Sequence, residues 1–293
     1  MSNKRKLFAA FFSMFFFISA ARTFSDELNI PLLDTDALIE SCRVLLLEKS
    51  VPVAFDTKMQ SLCFTGQINK KSSSPAIEIL KSKTVKQLVI TSVGGSVHYA
   101  LDMAKYIQKN NIDIVVNHYC VSSCANYFFL AARQKYVPKD SFVGWHGGPG
   151  KDLKKVRKDV KKIRKKELKE NPNTVFNETL AKSMKIRKKD LERQRKLLEQ
   201  ASVYDGLLYI SMTAKQADYY SRTATENNQP MIYVPSPEDL SEHYGVKGLV
   251  DMWHPGNQAT LNQYVTEKKE EAKNNQGWFV FDVYLYTFPP DSW

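Results

Sequence analysis

The sequence predicts an α/β fold, and three observations carry that reading. Lys86–Ser92 has an almost continuous apolar centre (Leu88, Val89, Ile90), the pattern of a strand buried on both faces. Next, Val97, Ala100, Leu101, Ala104 and Ile107 fall on one face of a helix that Asn110-Asn111 stops. The alternation then continues: a strand at Ile112–Asn117, a helix through Ala132, and short strands at Lys135–Pro138 and Ser141–Trp145. Strand and helix alternating in this order argue for a right-handed parallel arrangement.

The flanking elements follow from local chemistry. Asp34 caps a helix over Thr35–Leu47. Val51–Phe55 and Met59–Phe64 read as strands, and Ser73–Lys81 as a helix. Lys151–Gln200 reads as two helices broken at Asn171-Pro172-Asn173, and Ala201–Ala217 as another. Pro230–Ser236 is a short strand, Ser236-Pro237-Glu238-Asp239 opens a brief helix, and Leu249-Val250-Asp251 is a last core strand. The alternating aromatic tail, Trp278–Phe288, reads as an extra strand, paired on the core or offered to another subunit.

Charge is concentrated in one place. Residues 151–200 hold 19 Lys and Arg against 8 Asp and Glu, and that excess equals the chain's net charge of +11. The segment is a solvated basic face or, as the sharper alternative, a surface for an anionic partner through Lys151–Lys196. Its near lack of aromatic residues argues against specific nucleic-acid binding.

At the N-terminus, Lys4, Arg5 and Lys6 precede an apolar run from Leu7 to Ile18, and Ser19-Ala20-Ala21 supplies small residues for cleavage after Ala21. This predicts a signal peptide and an exported protein, periplasmic or secreted, with an uncleaved anchor as the alternative. Export bears on Cys42, Cys63, Cys120 and Cys124, which an oxidising compartment would bridge. Three pairings are open, of which Cys120–Cys124 with Cys42–Cys63 is the most local; four free thiols are the other reading. No spacing here is that of a metal site, and nothing calls for a cofactor.

Three segments carry candidate chemistry. Gly94-Gly95, directly after a buried strand, can present backbone N–H groups with no side chain in the way. Ser122 and Ser123 stand at the start of a helix, where unpaired N–H groups favour a developing oxyanion. His146 ends an apolar strand.

Their order and spacing resemble the proteolytic subunit of the Clp protease. Thr91-Ser92-Val93-Gly94-Gly95-Ser96-Val97 resembles its Ser-Pro-Gly-Gly-Ser-Val segment, and Phe64-Thr65-Gly66-Gln67-Ile68 its strand-ending Leu-Thr-Gly-x-Ile. The serine turn resembles its Ser-Met-Gly-Ala-Phe-Leu-Leu helix, and Val143-Gly144-Trp145-His146 the strand ending in its catalytic histidine. Ser236-Pro237-Glu238-Asp239 through Leu249-Val250-Asp251 is similar to its late Ser-x-x-Glu-Ala-x-x-Tyr-Gly-Leu-Ile-Asp. Closer still are exported bacterial ClpP-like proteins with a Cys-x-Ser-x-Cys turn, within the ClpP/crotonase superfamily.

The resemblance implies a ClpP/crotonase-like spiral of repeated β-β-α units, with a basic helical insertion and a C-terminal strand. The expected organisation is a signal peptide (1–21), an N-terminal helix and strand region (22–58), a core holding the motifs (59–150), the basic segment (151–200), the rest of the core (201–256) and a tail strand (257–293). It implies a homo-oligomeric serine peptidase acting on peptides or protein segments. Ser123, ranked slightly ahead of Ser122, is the nucleophile and His146 the base; Gly94, Gly95 and Cys124 supply oxyanion N–H groups. Where the family places its third residue, an aspartate, this chain has Gln229-Pro230-Met231-Ile232, and Glu226 is the nearest acid. That gap motivates the competing expectation of a cell-envelope scaffold that keeps the fold without turnover.

Overall fold

A seven-stranded, mostly parallel sheet organises the molecule. The structure is a computed structural model describing residues 33–148, 157–158, 161–162, 165, 176–209, 231–274 and 282–286. The signal-peptide and Glu226 readings therefore lie outside the described residues.

Helix α1 (Thr35–Lys49) is capped by Asp34, whose side chain accepts from the Ala37 N–H. Strands β1 (Val53–Asp56) and β2 (Ser61–Thr65) form an antiparallel pair. Helix α2 spans Lys70–Ser82, starting three residues before the sequence-based expectation. Asn69 and Ser72 form a reciprocal capping box there, so side-chain hydrogen bonds extend the helix into a polar stretch with no apolar periodicity.

Strand β3 (Gln87–Ser92) pairs in parallel with β2, and helix α3 (Val97–Lys109) leads to β4 (Asp113–Val121), parallel to β3. Between the pairs Ile90–Val116 and Ser92–Cys120, three residues of β4 run against one of β3. The slack is a bulge in which His118 takes φ 67° and its N–H donates to Ser141 Oγ at 3.0 Å. The bulge lets one long strand serve two neighbours. Its first half pairs with β5 (Lys135–Val137), its second with β6 (Phe142–Gly144), both in parallel. A helix, α4 (Cys124–Phe129), connects β4 to β5.

Strand β8 (Leu249–Met252) closes the sheet on β5. Strand β7 (Met231–Pro235) pairs in parallel with β9 (Asp282–Tyr286) in a separate two-stranded sheet, so the tail strand pairs within the chain. Two expectations change. Helix α5 (Phe176–Ala201) ends at Ser202, which has φ 57°, and a short 3₁₀ helix at Asp205–Tyr209 follows among the described residues; the rest of the stretch read as a helix over Ala201–Ala217 lies outside them. The tail holds helix α6 (Gln258–Asn274), not strand alone; its Leu261, Tyr264 and Val265 bury against Val121, Phe142, Ile232 and Val234.

The larger core joins α2, α3 and α4 to the sheet through Leu62, Leu88, Ile90, Ile114, Phe128 and Phe129, all fully buried. Both local disulfides are formed, Cys42–Cys63 tying α1 to β2 and Cys120–Cys124 spanning the serine pair, and no cysteine is free. Bridged cysteines are compatible with an oxidising environment.

Lys135 is 3% exposed, and its ammonium donates to the carbonyls of Ala132 (2.7 Å) and Lys247 (2.8 Å). Burial lowers its pKa to about 8, opposed by Asp113.

Two outcomes are expected. Cys42→Ala/Cys63→Ala loses roughly 3 kcal/mol of unfolding free energy, from a cross-link with a sequence separation of 21, measured by urea unfolding. Lys135 titrates near 10.4 when unfolded, so between pH 8 and that value the unfolded chain binds more protons and this group's contribution to stability rises with pH. Lys135→Met should flatten that rise in urea midpoints measured across the window.

Candidate functional site

Three parallel neighbours end side by side. Ser92 of β3 lies opposite Cys120 of β4, and Cys120 and Val121 lie opposite Val143 and Gly144 of β6. The residues leaving these strands (Gly94-Gly95, Ser122-Ser123 and His146) therefore share the carboxyl edge of the sheet. In α/β sheets that edge is where ligands bind.

Gly94 has φ +84°, and a Cβ there would sit 2.6 Å from Val121 O, 2.7 Å from Ser122 Cβ and 2.8 Å from Ser123 N. Only glycine permits this packing against the serine turn. The Gly94 N–H, expected to face an oxyanion, instead donates to Ser92 Oγ (3.1 Å), whose hydroxyl donates to Gly66 O (2.7 Å).

Gly95 is oriented differently. Ile68 N–H donates to Gly94 O and Ser96 N–H to Ile68 O, both at 2.8 Å. In extended chain, alternate residues point to opposite sides. The N–H and C=O of Gly95 thus face away from Ile68, toward the serine turn, and its C=O accepts from Ser123 Oγ at 2.8 Å. Its N–H has no partner among the described residues.

The two serines are unlike. Ser123 is 3% exposed and its hydroxyl is committed to Gly95. Ser122 is half-buried with φ +59°, in the left-handed region that side chains other than glycine seldom adopt. Its N–H donates to Gly144 O (3.0 Å) and its C=O accepts from Asn126 N–H (2.8 Å), which fixes the turn; its hydroxyl has no partner among the described residues. The Cys120–Cys124 bridge, fully buried, staples the end of β4 to the start of α4 across both serines. A helix start leaves its leading N–H groups without partners one turn back, and at α4 the Asn126 N–H is the first already taken, by Ser122 O.

His146 follows Trp145, which is fully buried, packs edge-on against Phe129 and exchanges two backbone hydrogen bonds with Tyr233 (2.8 and 2.7 Å). The chain alternates sides, so a buried Trp145 puts His146 at the surface, where it is exposed. Its ring makes no hydrogen bond to either serine or to a carboxylate among the described residues. The surrounding protein withdraws water from the ring and lowers its pKa below the usual imidazole value, opposed by a hydrogen bond between the ring and the residue's own backbone.

The loop after it is held from two sides. Asn126 Nδ2 donates to Gly147 O (3.4 Å), and Gly148 lies against Leu208, whose carbonyl oxygen would be 2.9 Å from an added Cβ. Asn126, 2% exposed, was not legible as a site-supporting residue; the one signal was a lone amide in an aromatic helix. Its Oδ1 and the Trp145 Nε1 are buried without hydrogen-bond partners among the described residues. Trp145 pairs antiparallel with Tyr233 through an isolated bridge, and no carboxylate hydrogen-bonds His146 among the described residues. Asp205 lines a separate cleft with Arg195, Glu199 and Tyr204.

No family model and no curated protein matches the chain. Among solved structures, an asparagine-to-aspartate mutant of ClpP1 from Listeria monocytogenes is similar over 43% of this chain and 78% of that one, with 16% identity and a TM-score of 0.28. Likeness at this level speaks to fold at most and says nothing of activity.

Two measurements check the geometry. The His146 ring should titrate below about 6.5 in a proton NMR titration, because its depressed pKa keeps the imidazole neutral over a range where a free one protonates. Gly94→Ala, which adds a Cβ under 3 Å from three atoms of the serine turn, should lower stability by roughly 1–3 kcal/mol, read from urea denaturation.

Proposed function

We propose that the chain is an exported ClpP-like serine hydrolase that cleaves peptides or protein segments. In this reading the sheet and its helices follow the ClpP/crotonase spiral. Ser122, ranked second from sequence, is the nucleophile and His146 the base. The N–H of Gly95, in place of Gly94, forms the oxyanion site with the N–H of Ser123.

The observation that carries it is the state of Ser122. Its hydroxyl has no partner among the described residues and sits on a positive-φ turn that opens a helix, and Gly95 faces the same turn. A strained turn that exposes a hydroxyl at a helix start is a recurrent way to present a nucleophile. Ser123, tied to Gly95 O, serves instead to aim the Gly95 peptide.

Ser122 Oγ attacks the carbonyl carbon and forms the C–O bond while His146 takes the hydroxyl proton. The oxyanion is held by the two N–H groups, and the imidazolium then protonates the leaving amine as the C–N bond breaks. The lowered His146 pKa keeps the base neutral at pH 7, ready to accept. A dyad with no acid to orient its base is slow, by up to about four orders of magnitude for the loss of that group in a full triad.

A fluorophosphonate probe tests the reading. Wild type should be labelled, Ser122→Ala not at all, His146→Ala at least about 100-fold more slowly, and Ser123→Ala only several-fold more slowly. The absence of a serine–histidine hydrogen bond favours the second reading, a scaffold that keeps the fold without turnover. It expects no labelling of the folded wild type, and Ser122→Ala and His146→Ala that keep full function in the cell.

A further inference from the structure

The concentrated positive charge has no part in the serine chemistry, and the structure shows how it is displayed. Helix α5 is fixed on one side only. Asp190, 4% exposed, pairs with His98 Nδ1 (3.0 Å) and Arg193 (3.0 Å), and Arg193 reaches Asp102 of α3 (2.6 Å). Gln194 accepts from the Tyr127 hydroxyl (2.8 Å), and Leu197 and Leu198 enter the core.

The opposite face carries Lys182, Lys185, Lys188, Lys189, Arg195 and Lys196, all exposed, against Glu192 and Glu199. One of these cations, Arg195, is paired with Glu199 at 2.8 Å. Upstream, Arg157, Lys158, Lys161, Lys162 and Lys165 are helical and exposed, and four-residue spacing puts them on one side. Buried ion pairs and apolar contacts thus hold α5 so that its cations cannot turn inward.

We propose that these two helical stretches form a docking surface for an anionic phospholipid bilayer. The partner follows from what accompanies the cations. Phe176 is the only aromatic residue in 151–200, so there is no stacking platform for single-stranded nucleic acid. Ile186, 40% exposed, lies on the Asp190–Arg193–Leu197 side of α5 and only borders the cations, at Lys182 and Lys189, so the attraction to a bilayer rests on charge. At the N-terminus, the basic Lys4, Arg5 and Lys6 and the apolar run Leu7–Ile18 are chemistry that brings a chain to a bilayer. Basic residues near an anionic bilayer add affinity roughly in proportion to their number, and the attraction fades within a Debye length of about 8 Å at physiological salt.

Cosedimentation of the full chain with vesicles tests this. Mixed phosphatidylglycerol–phosphatidylcholine vesicles should bind it at low salt, and vesicles of phosphatidylcholine alone much less. Binding should fall steeply as salt rises to physiological strength. Lys185→Glu/Lys189→Glu/Lys196→Glu, all at exposed positions, should lower affinity for anionic vesicles by about 100-fold or more with an unchanged melting temperature. Equal binding to both vesicle types, indifference to salt, an unaffected triple variant, or tighter binding to a DNA duplex than to anionic vesicles at matched salt overturns the proposal.

Discussion

The close approach of Gly94 to the serine turn is the constraint on which the site depends. Without a Cβ at Gly94, the β3–α3 loop lies against Val121, Ser122 and Ser123. From that contact Gly95 turns its carbonyl onto Ser123 and its N–H toward the same turn. The turn is held from the other side by Gly144 O and by the Cys120–Cys124 bridge. Loop, turn and strand end are therefore one cross-braced unit, rigid where a reaction would need preorganised donors.

The histidine is braced less directly. Buried Trp145, paired both ways with Tyr233, sets where His146 leaves the sheet, and Asn126 and Leu208 hold the loop beyond it. The ring itself is bonded to no serine or carboxylate among the described residues. The asymmetry between a rigid donor loop and a free base separates the two functional readings. The basic face of α5 is a third kind of arrangement, in which core contacts on one side of a helix dictate what the other side can meet.

Much of the fold was legible because its cause is local. Asp34, the apolar face of α3 and the buried run of β3 each act over a few residues, and the structure places those elements within a residue or two of expectation. The departures come from longer-range physics. A capping box lengthened α2, and a bulge at His118 let β4 serve two partners. Core contacts from Leu261, Tyr264 and Val265 made a helix of a stretch read as tail.

By itself the sequence determined the alternation of strands and helices, the two nearest cysteine pairs as a candidate set, and the motif types: a glycine pair, a serine pair and a histidine, each following a strand. Those depend on residue type and spacing along the chain. Only the tertiary structure decided which atoms are available. Ser122 and Ser123 differ by one position, yet one hydroxyl is spent on Gly95 O and the other is not; Gly94 and Gly95 are identical residues, yet one N–H is taken by Ser92. The Ser123–Gly95 bond joins residues 28 apart, and the Ser92 hydroxyl that takes the Gly94 N–H is itself oriented by Gly66, 26 residues away, contacts that no local pattern encodes.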